Sequence, residues 1–266
     1  MDYQEILLDI RDDHLAILTL NNPDVLNAIS FDMVDELKHA LGQVIYPGNN
    51  VRCLLITGTG RGFCSGANLK SKNLPVSEED FRSAERGLDS TYNPIFLILK
   101  NLKIPVITAV KGPAAGIGMT LALMGDLVIA GKSAYFLQAF RNIGLVPDGG
   151  ATWLLPRLIG MARAMELSLL AQRLPAEKAL DWGLINQVVE DDELLPTAIE
   201  IAKNLASGPT ISLGLIRQAY WQSADNSHAE QLNLESNLQE ICGASQDARE
   251  GRMAFVEKRK PNFQGK

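Results

Sequence analysis

The chain has 266 residues, 46% of them hydrophobic, and a formal net charge of −6. That is enough apolar sequence to bury a full core, in one large domain with an appendage rather than two equal domains. Thinly spread Lys and Arg argue against a nucleic-acid surface, and no apolar run reaches the roughly 20 residues needed to span a bilayer.

The three cysteines, Cys53, Cys64 and Cys242, are scattered without CxxC spacing. They point to a reducing compartment and no disulfide framework. The three histidines, His14, His39 and His228, stand alone in the sequence, so no metal site is expected. The acidic start MDYQEILLDIRDD lacks the pattern of a secretory signal. A cytoplasmic protein without a membrane segment is expected.

In chain order, Ile6 to Ile10 and Leu15 to Leu20 predict two strands joined by the polar turn Arg11-Asp12-Asp13. Ser30 is a candidate N-cap for a helix over Phe31 to Val44, with Phe31, Val34, Leu37, Leu41 and Val44 as its apolar stripe. Val51 to Thr57 predicts a strand, followed by a small-residue loop through Gly58, Gly60, Gly62 and Gly66 to Ala67 and Asn68. The polar stretch Lys72 to Glu85 reads as a mobile flap or irregular helix over a site. Pro94 to Leu99 is helical in pattern.

The centre of the chain is Ile104 to Gly150. Val106 to Val110 is a β-branched run that predicts a buried strand. Gly112, Gly116 and Gly118 follow, and Gly118 to Met124 reads as an apolar helix. A loop so poor in side chains leaves backbone N–H groups free to meet an anion, although such glycines also serve tight packing. The spacing is neither GxGxxG nor a phosphate-binding Gly-Lys-Ser/Thr loop. Leu127 to Ala130 and Ala134 to Phe136 predict short strands, and the alternation with helices indicates an α/β core. The two glycine loops are either unrelated turns or a facing pair whose N–H groups form an oxyanion hole. Asp148, between Pro147 and Gly149, is a lone carboxylate in apolar surroundings. It suits a helix N-cap before Gly149-Gly150-Ala151, or an acid/base whose pKa is raised by burial against Leu145, Val146 and Trp153.

Beyond Thr152 the chain turns helical: Leu154 to Leu170 is largely helical, capped near Arg157-Leu158 by the preceding Pro156, and a short helix follows with Pro175 at its first position. Leu184 to Val189 predicts a strand. Helices follow over Leu194 to Ala206, Ile211 to Ser223, His228 to Ser245 and Ala248 to Glu257. Leu213, Ile216, Leu232, Leu238 and Ile241 give this tail more apolar surface than one covering layer needs, so some is expected to pack on neighbouring subunits.

The segments NNPDVLNAIS, GRGFCSGANLK, IPVITAVKGPAAGIGMTLALMGDLVIA, IGLVPDGGATWLLPRLIG, AEKALDWGLINQVV and EGRMAFVEKRKPNF carry a resemblance over essentially the whole chain. It resembles the crotonase, or enoyl-CoA hydratase/isomerase, superfamily. The resemblance implies a crotonase-like α/β spiral of ββα units over residues 1–195. It also implies a C-terminal helical trimerisation domain over residues 196–266, in a homotrimer or a hexamer of two trimers. The implied ligand is an acyl-CoA thioester, with coenzyme A part of the substrate and no tightly bound cofactor. Backbone N–H groups of Ala67 and Ile117 would hold the thioester oxygen. Ala67, Asn68 and Leu69, with Phe255 and Lys258, would contact the coenzyme A moiety, and Thr120, Gln138 and Phe140 would line the acyl pocket.

Hydratases of this superfamily use two glutamates, at the positions of Thr120 and Phe140 here. Neither residue can move a proton. Asp148 matches the single carboxylate of the branch that includes Δ3,Δ2-enoyl-CoA isomerases and the ring-epoxide isomerase of phenylacetate breakdown. The resemblance therefore implies a double-bond or ring isomerisation through a thioester enolate. A hydratase with unusual acid/base groups, or a degenerate structural or RNA-binding member, are the alternatives.

Overall fold

The computed structural model describes residues 1–68 and 88–266. Leu69 and the expected flap Lys72 to Glu85 lie outside the described residues. The chain opens with a hairpin, β1 (Ile6–Ile10) antiparallel to β2 (Leu15–Leu20). Strands β3 (Cys53–Gly58) and β4 (Val106–Val110) then extend the sheet in parallel. Between β2 and β3 lies α1 (Phe31–Ile45), capped by Ser30, whose Oγ accepts from the Met33 N–H at 3.0 Å. Glu36 on α1 is buried and accepts the backbone N–H groups of Gln4, Glu5 and Ile6 at 2.7, 2.9 and 3.1 Å. A carboxylate so fully bonded holds the first strand against the helix.

Helix α2 (Asn93–Asn101) leads into β4. After β4 the chain makes a short strand, β5 (Pro113–Ala115), where the sequence reading expects only loop. Its hydrogen bonds come from distant residues, which local pattern does not reveal. A short helix α3 (Ile117–Ala122), then β6 (Leu127–Gly131) and β7 (Tyr135–Leu137), complete the central stretch. Helix α4 (Ala151–Leu170) begins earlier than its apolar pattern indicates. It runs through Pro156 and breaks instead at Gly160, where φ is 77°. That left-handed backbone suits glycine and interrupts the helical ladder there.

Strand β8 (Leu174–Pro175), α5 (Ala176–Asp181) and β9 (Gln187–Val189) follow. Pro175 is the N-cap of α5, one residue before the expected position. The main sheet has the order β1-β2-β3-β4-β6-β9, and a second sheet has the order β5-β7-β8. Helix α6 (Leu194–Ala206), which the sequence reading assigns almost wholly to the C-terminal part, packs on the main sheet. Its buried stripe Leu194, Ala198, Ala202 and Ala206 lies against Cys53, Leu55, Ile107, Ala109 and Ile129. Their strand neighbours Leu54, Ile56, Val106, Val110, Val128 and Ala130 belong to the core on the opposite face. This is the two-residue period of a sheet covered on both sides.

Helices α7 (Thr210–Ser223), α8 (His228–Ala244) and α9 (Gln246–Glu257) end the chain. Serines cap the last two, Ser227 through a reciprocal capping box with Glu230. Ile216, Tyr220, Leu232, Ile241, Phe255 and Val256 on these helices are exposed. Among the described residues, no helix is long and apolar enough to cross a membrane.

Candidate active site

The two glycine loops are joined. The Cys64 N–H donates to the Pro113 carbonyl at 3.0 Å, and the Ala115 N–H donates back to the Cys64 carbonyl at 2.9 Å. The reading of two unrelated turns therefore falls. On the far side of the first loop, the Ile29 N–H donates to Gly66 and the Asn68 N–H to Ile29, at 2.8 and 2.9 Å. The buried Asn27 amide braces the loop by donating to the Thr59 and Gly62 carbonyls.

Glycine is demanded at specific points. A Cβ on Gly118 would lie 2.6 Å from both the carbonyl oxygen and the Sγ of Cys64. Gly116 has φ 52° and ψ −129°, a conformation that L side chains rarely adopt. It is the residue that turns β5 into α3 and aims the Ile117 N–H. Among the described residues, neither the Ala67 N–H nor the Ile117 N–H donates to another group. Two uncommitted amides on joined, rigid loops are what an oxyanion hole requires. Helix α3 spans only Ile117–Ala122, so its dipole adds less than these N–H groups themselves.

Asp148 precedes α4. The N-cap of that helix is Gly150, with no side-chain capping bond, and the Ala151 N–H bonds the backbone carbonyl of Asp148 at 3.0 Å. The carboxylate is thus not spent on capping. Its Oδ1 is buried and, among the described residues, has no hydrogen-bond partner. Burial pushes its pKa from 3.8 up to about 6, opposed only in part by a bond to its own backbone.

The surroundings that cause this differ from those expected. Leu145 and Val146 are 57% and 79% exposed, and Trp153 stacks on Trp221 with ring centroids 5.6 Å apart. The acid loop is instead backed by α2 and α3. A Cβ on Gly149 would lie 2.9 Å from the Phe96 ring and 3.2 Å from the Thr120 methyl. Phe96 was legible only as one apolar position on a short helix; nothing in its local sequence links it to Asp148.

Thr120 is fully buried, and its hydroxyl donates to the Asp148 backbone carbonyl. Phe140, in the one-turn helix Phe140–Ile143, places its ring 3.8 Å from where a Gly116 Cβ would be, an apolar wall beside the second glycine loop. Gln138 is fully buried, its Nε2 against the Met119 sulfur at 3.3 Å and its Oε1 without a partner among the described residues. Phe255 and Lys258 lie at the end of α9, whose main packing partner is α8. Phe255 lines an open cavity of about 530 Å³ with Ser212, Asp247 and Phe263. These groups belong to the C-terminal face of the chain, apart from the two glycine loops.

Two backbone donors beside one buried carboxylate can stabilise an enolate and move its proton. The family model described as Enoyl-CoA hydratase/isomerase matches residues 11–266. The chain belongs to the enoyl-CoA hydratase/isomerase family. It is 46% identical over 264 residues to the 1,2-epoxyphenylacetyl-CoA isomerase of Escherichia coli, covering 98% of this chain and 99% of that protein. It is 40% identical over 266 residues to a protein of Rhodobacter capsulatus named probable enoyl-CoA hydratase, covering 100% of both. Among solved structures, an enoyl-CoA hydratase from Bacillus anthracis superposes with a TM-score of 0.91 at 33% identity, covering 99% of this chain and 100% of that one. The expected crotonase-like α/β architecture with C-terminal helices is therefore the fold of this hydratase/isomerase family member. This is a family of enzymes that includes the named isomerase of Escherichia coli.

Proposed function

We propose that this family member is an acyl-CoA isomerase. Its substrate is a 3-enoyl-CoA, or a ring-epoxide acyl-CoA like that in the name of the Escherichia coli relative. Asp148 serves as the single proton shuttle. The observation that carries this reading is the buried, unpartnered Oδ1 of Asp148, in a family whose two-glutamate positions hold Thr120 and Phe140 here.

A double-bond shift removes a proton from the carbon next to the thioester carbonyl. The charge moves onto the thioester oxygen, where the Ala67 and Ile117 N–H groups meet it. Losing one such donor typically costs about 3 kcal/mol of transition-state stabilisation. Asp148 takes the proton as carboxylate and returns it at the γ carbon as carboxylic acid. Its pKa of about 6 suits both halves of that exchange. Hydration would instead need a positioned water and a second group on it.

Coenzyme A enters as part of the substrate, with Ala67, Asn68, Leu69, Phe255 and Lys258 as its proposed contacts. Phe255 and Lys258 stand apart from the glycine loops on their own chain, so their role needs a neighbouring subunit. The exposed apolar residues of α7, α8 and α9 support a homotrimer, or a hexamer of two trimers. The free thiols Cys53, Cys64 and Cys242 suit a cytoplasmic setting.

Incubation with 3-enoyl-CoA, 2-enoyl-CoA and 1,2-epoxyphenylacetyl-CoA, followed by mass, tests the reading. Isomerisation leaves the substrate mass unchanged. Gain of one water on 2-enoyl-CoA, without isomerisation of the other two, would make the protein a hydratase.

A further inference from the structure

Tyr92 belongs to neither glycine loop and to no sequence motif, yet the fold sets it between the two halves of the site. It is the N-cap of α2, and Pro94 in the first turn fixes the helix start. Phe96 lies one turn further on the same face, and its ring abuts Gly149 beside Asp148. In the other direction the Tyr92 ring packs on Phe31, centroids 6.5 Å apart and tilted by 31°. Phe31 follows Ser30 and Ile29, and Ile29 is bonded to the Gly66–Asn68 loop on both its N–H and its carbonyl. The phenol thus stands between the acid loop and the Ala67 loop, within reach of the Asp148 charge.

The Tyr92 ring is part of the core margin, but its hydroxyl makes no hydrogen bond among the described residues. It does not donate to Asp148, although Asp148 Oδ1 has no partner. Burial pushes the phenol up to about 12, so it remains a neutral donor across the working range. A half-buried phenol whose hydroxyl has no partner among the described residues leaves a donor available to an acceptor on a ligand. The thioester oxygen already has two backbone donors. The remaining candidate is an oxygen further along the acyl group.

We propose that the Tyr92 hydroxyl is a substrate-contacting donor that recognises an epoxide or cyclic-ether oxygen carried on the acyl group. This assignment rests on the acyl-CoA isomerase reading of the cleft. Such an oxygen accepts hydrogen bonds and donates none, which matches a group that has only a proton to offer. A straight enoyl chain has no such acceptor. The contact therefore separates oxygen-bearing cyclic acyl groups from plain fatty acyl chains.

The test uses two saturated thioesters that cannot isomerise, tetrahydropyranylacetyl-CoA and cyclohexylacetyl-CoA. Their Kd values are measured by calorimetry on wild type and Tyr92→Phe, which keeps the ring on Phe31. The expected result is an ether-over-carbocycle preference in wild type that falls about tenfold in Tyr92→Phe, the size of one neutral hydrogen bond. Wild type that binds both thioesters alike, or an unchanged preference in the variant, overturns the proposal. The wild-type arm alone suffices if the variant does not fold. Turnover of 3-enoyl-CoA and 1,2-epoxyphenylacetyl-CoA by wild type is followed in parallel. No turnover with the ether preference intact removes the isomerase reading and leaves Tyr92 as an oxygen-recognising group.

Discussion

The Thr120 hydroxyl donates to the backbone carbonyl of Asp148 at 3.3 Å. Thr120 sits on α3, directly beyond the Ile117 amide, so one side chain links the second glycine loop to the acid loop. The side chain at this position thus fastens the backbone of the loop that carries the Asp148 carboxylate. Thr120→Val keeps the shape and removes the bond. We expect kcat to fall about fivefold with little change in KM, and stability to fall by about 1 kcal/mol. Steady-state kinetics and urea unfolding measure both, and an unchanged kcat in a folded variant would show that the link does not position the acid.

The proposed shuttle role of Asp148 predicts a pH dependence of activity. As a base it must be ionised, so kcat/KM rises with pH through about 6, the value to which burial pushes its carboxyl. A pH–rate profile that is flat from pH 5 to pH 7, about one unit either side of that value, contradicts this assignment.

The same shift acts on stability with the opposite benefit. The folded acid holds its proton up to about pH 6, whereas the unfolded one releases it near 3.8. Its contribution is therefore complete below the unfolded value and is lost as pH rises through the folded value. Asp148→Asn removes a buried charge, so the variant should be more stable than wild type at pH 7.5. The gain is about 1 kcal/mol once its solvent-exposed part is allowed for. It should shrink at pH 5. Thermal melts at the two pH values measure it, and equal differences at both would mean that the carboxyl is not titrating as described.

Gly116 offers a change without a steric clash, since the nearest atom to an added Cβ is the Phe140 ring at 3.8 Å. The cost is conformational, because φ 52° with ψ −129° excludes a side chain. In Gly116→Ala the Ile117 N–H is expected to turn away from its present direction. The predicted signature is a loss in kcat of about 100-fold, against a stability cost of about 2 kcal/mol. Full activity in a folded Gly116→Ala protein would remove Ile117 from the oxyanion role.

Arg217 supports the site from outside. Its buried guanidinium donates to both Asp126 oxygens at 2.8 Å, and to the carbonyls of Leu99, Lys100 and Leu102 at 2.6, 2.7 and 2.9 Å. It ties α7 to the end of α2, the helix that carries Phe96. Burial pushes the Asp126 carboxyl up, and Arg217 opposes that rise. Arg217→Met leaves the carboxylate and the carbonyls without their donor, and is expected to cost about 3 kcal/mol. Chemical denaturation reads the change, and a loss under about 1 kcal/mol would show that the ion pair is replaceable by packing.

Much of this was legible in the residues. Ser30 precedes an apolar stripe of helical spacing and is the cap of the helix expected there. Val106 to Val110 is a strand because β-branched residues between Pro105 and Lys111 fit a sheet buried on both faces. The two glycine loops could be paired on paper because both follow strands and both are stripped of side chains.

What escaped depends on contacts between distant segments. Pro113–Ala115 is a strand only because Tyr135–Leu137 runs beside it. The acid was assigned to the shelter of Leu145 and Val146 through adjacency in sequence, but those side chains face outwards and Phe96 and Thr120 back the loop. The break in α4 follows the left-handed Gly160 rather than the more conspicuous Pro156.

The rate of Asp148→Asn tests the account most directly. The substitution preserves shape and removes the proposed proton shuttle, and Asp148 makes no side-chain capping bond whose loss would confuse the result. With whichever of 3-enoyl-CoA or 1,2-epoxyphenylacetyl-CoA the wild type isomerises, we expect kcat to fall by about 1,000-fold while KM stays within a few-fold, as for loss of a positioned acid/base. A folded Asp148→Asn protein that retains the wild-type rate would contradict the central claim that this carboxylate moves the proton.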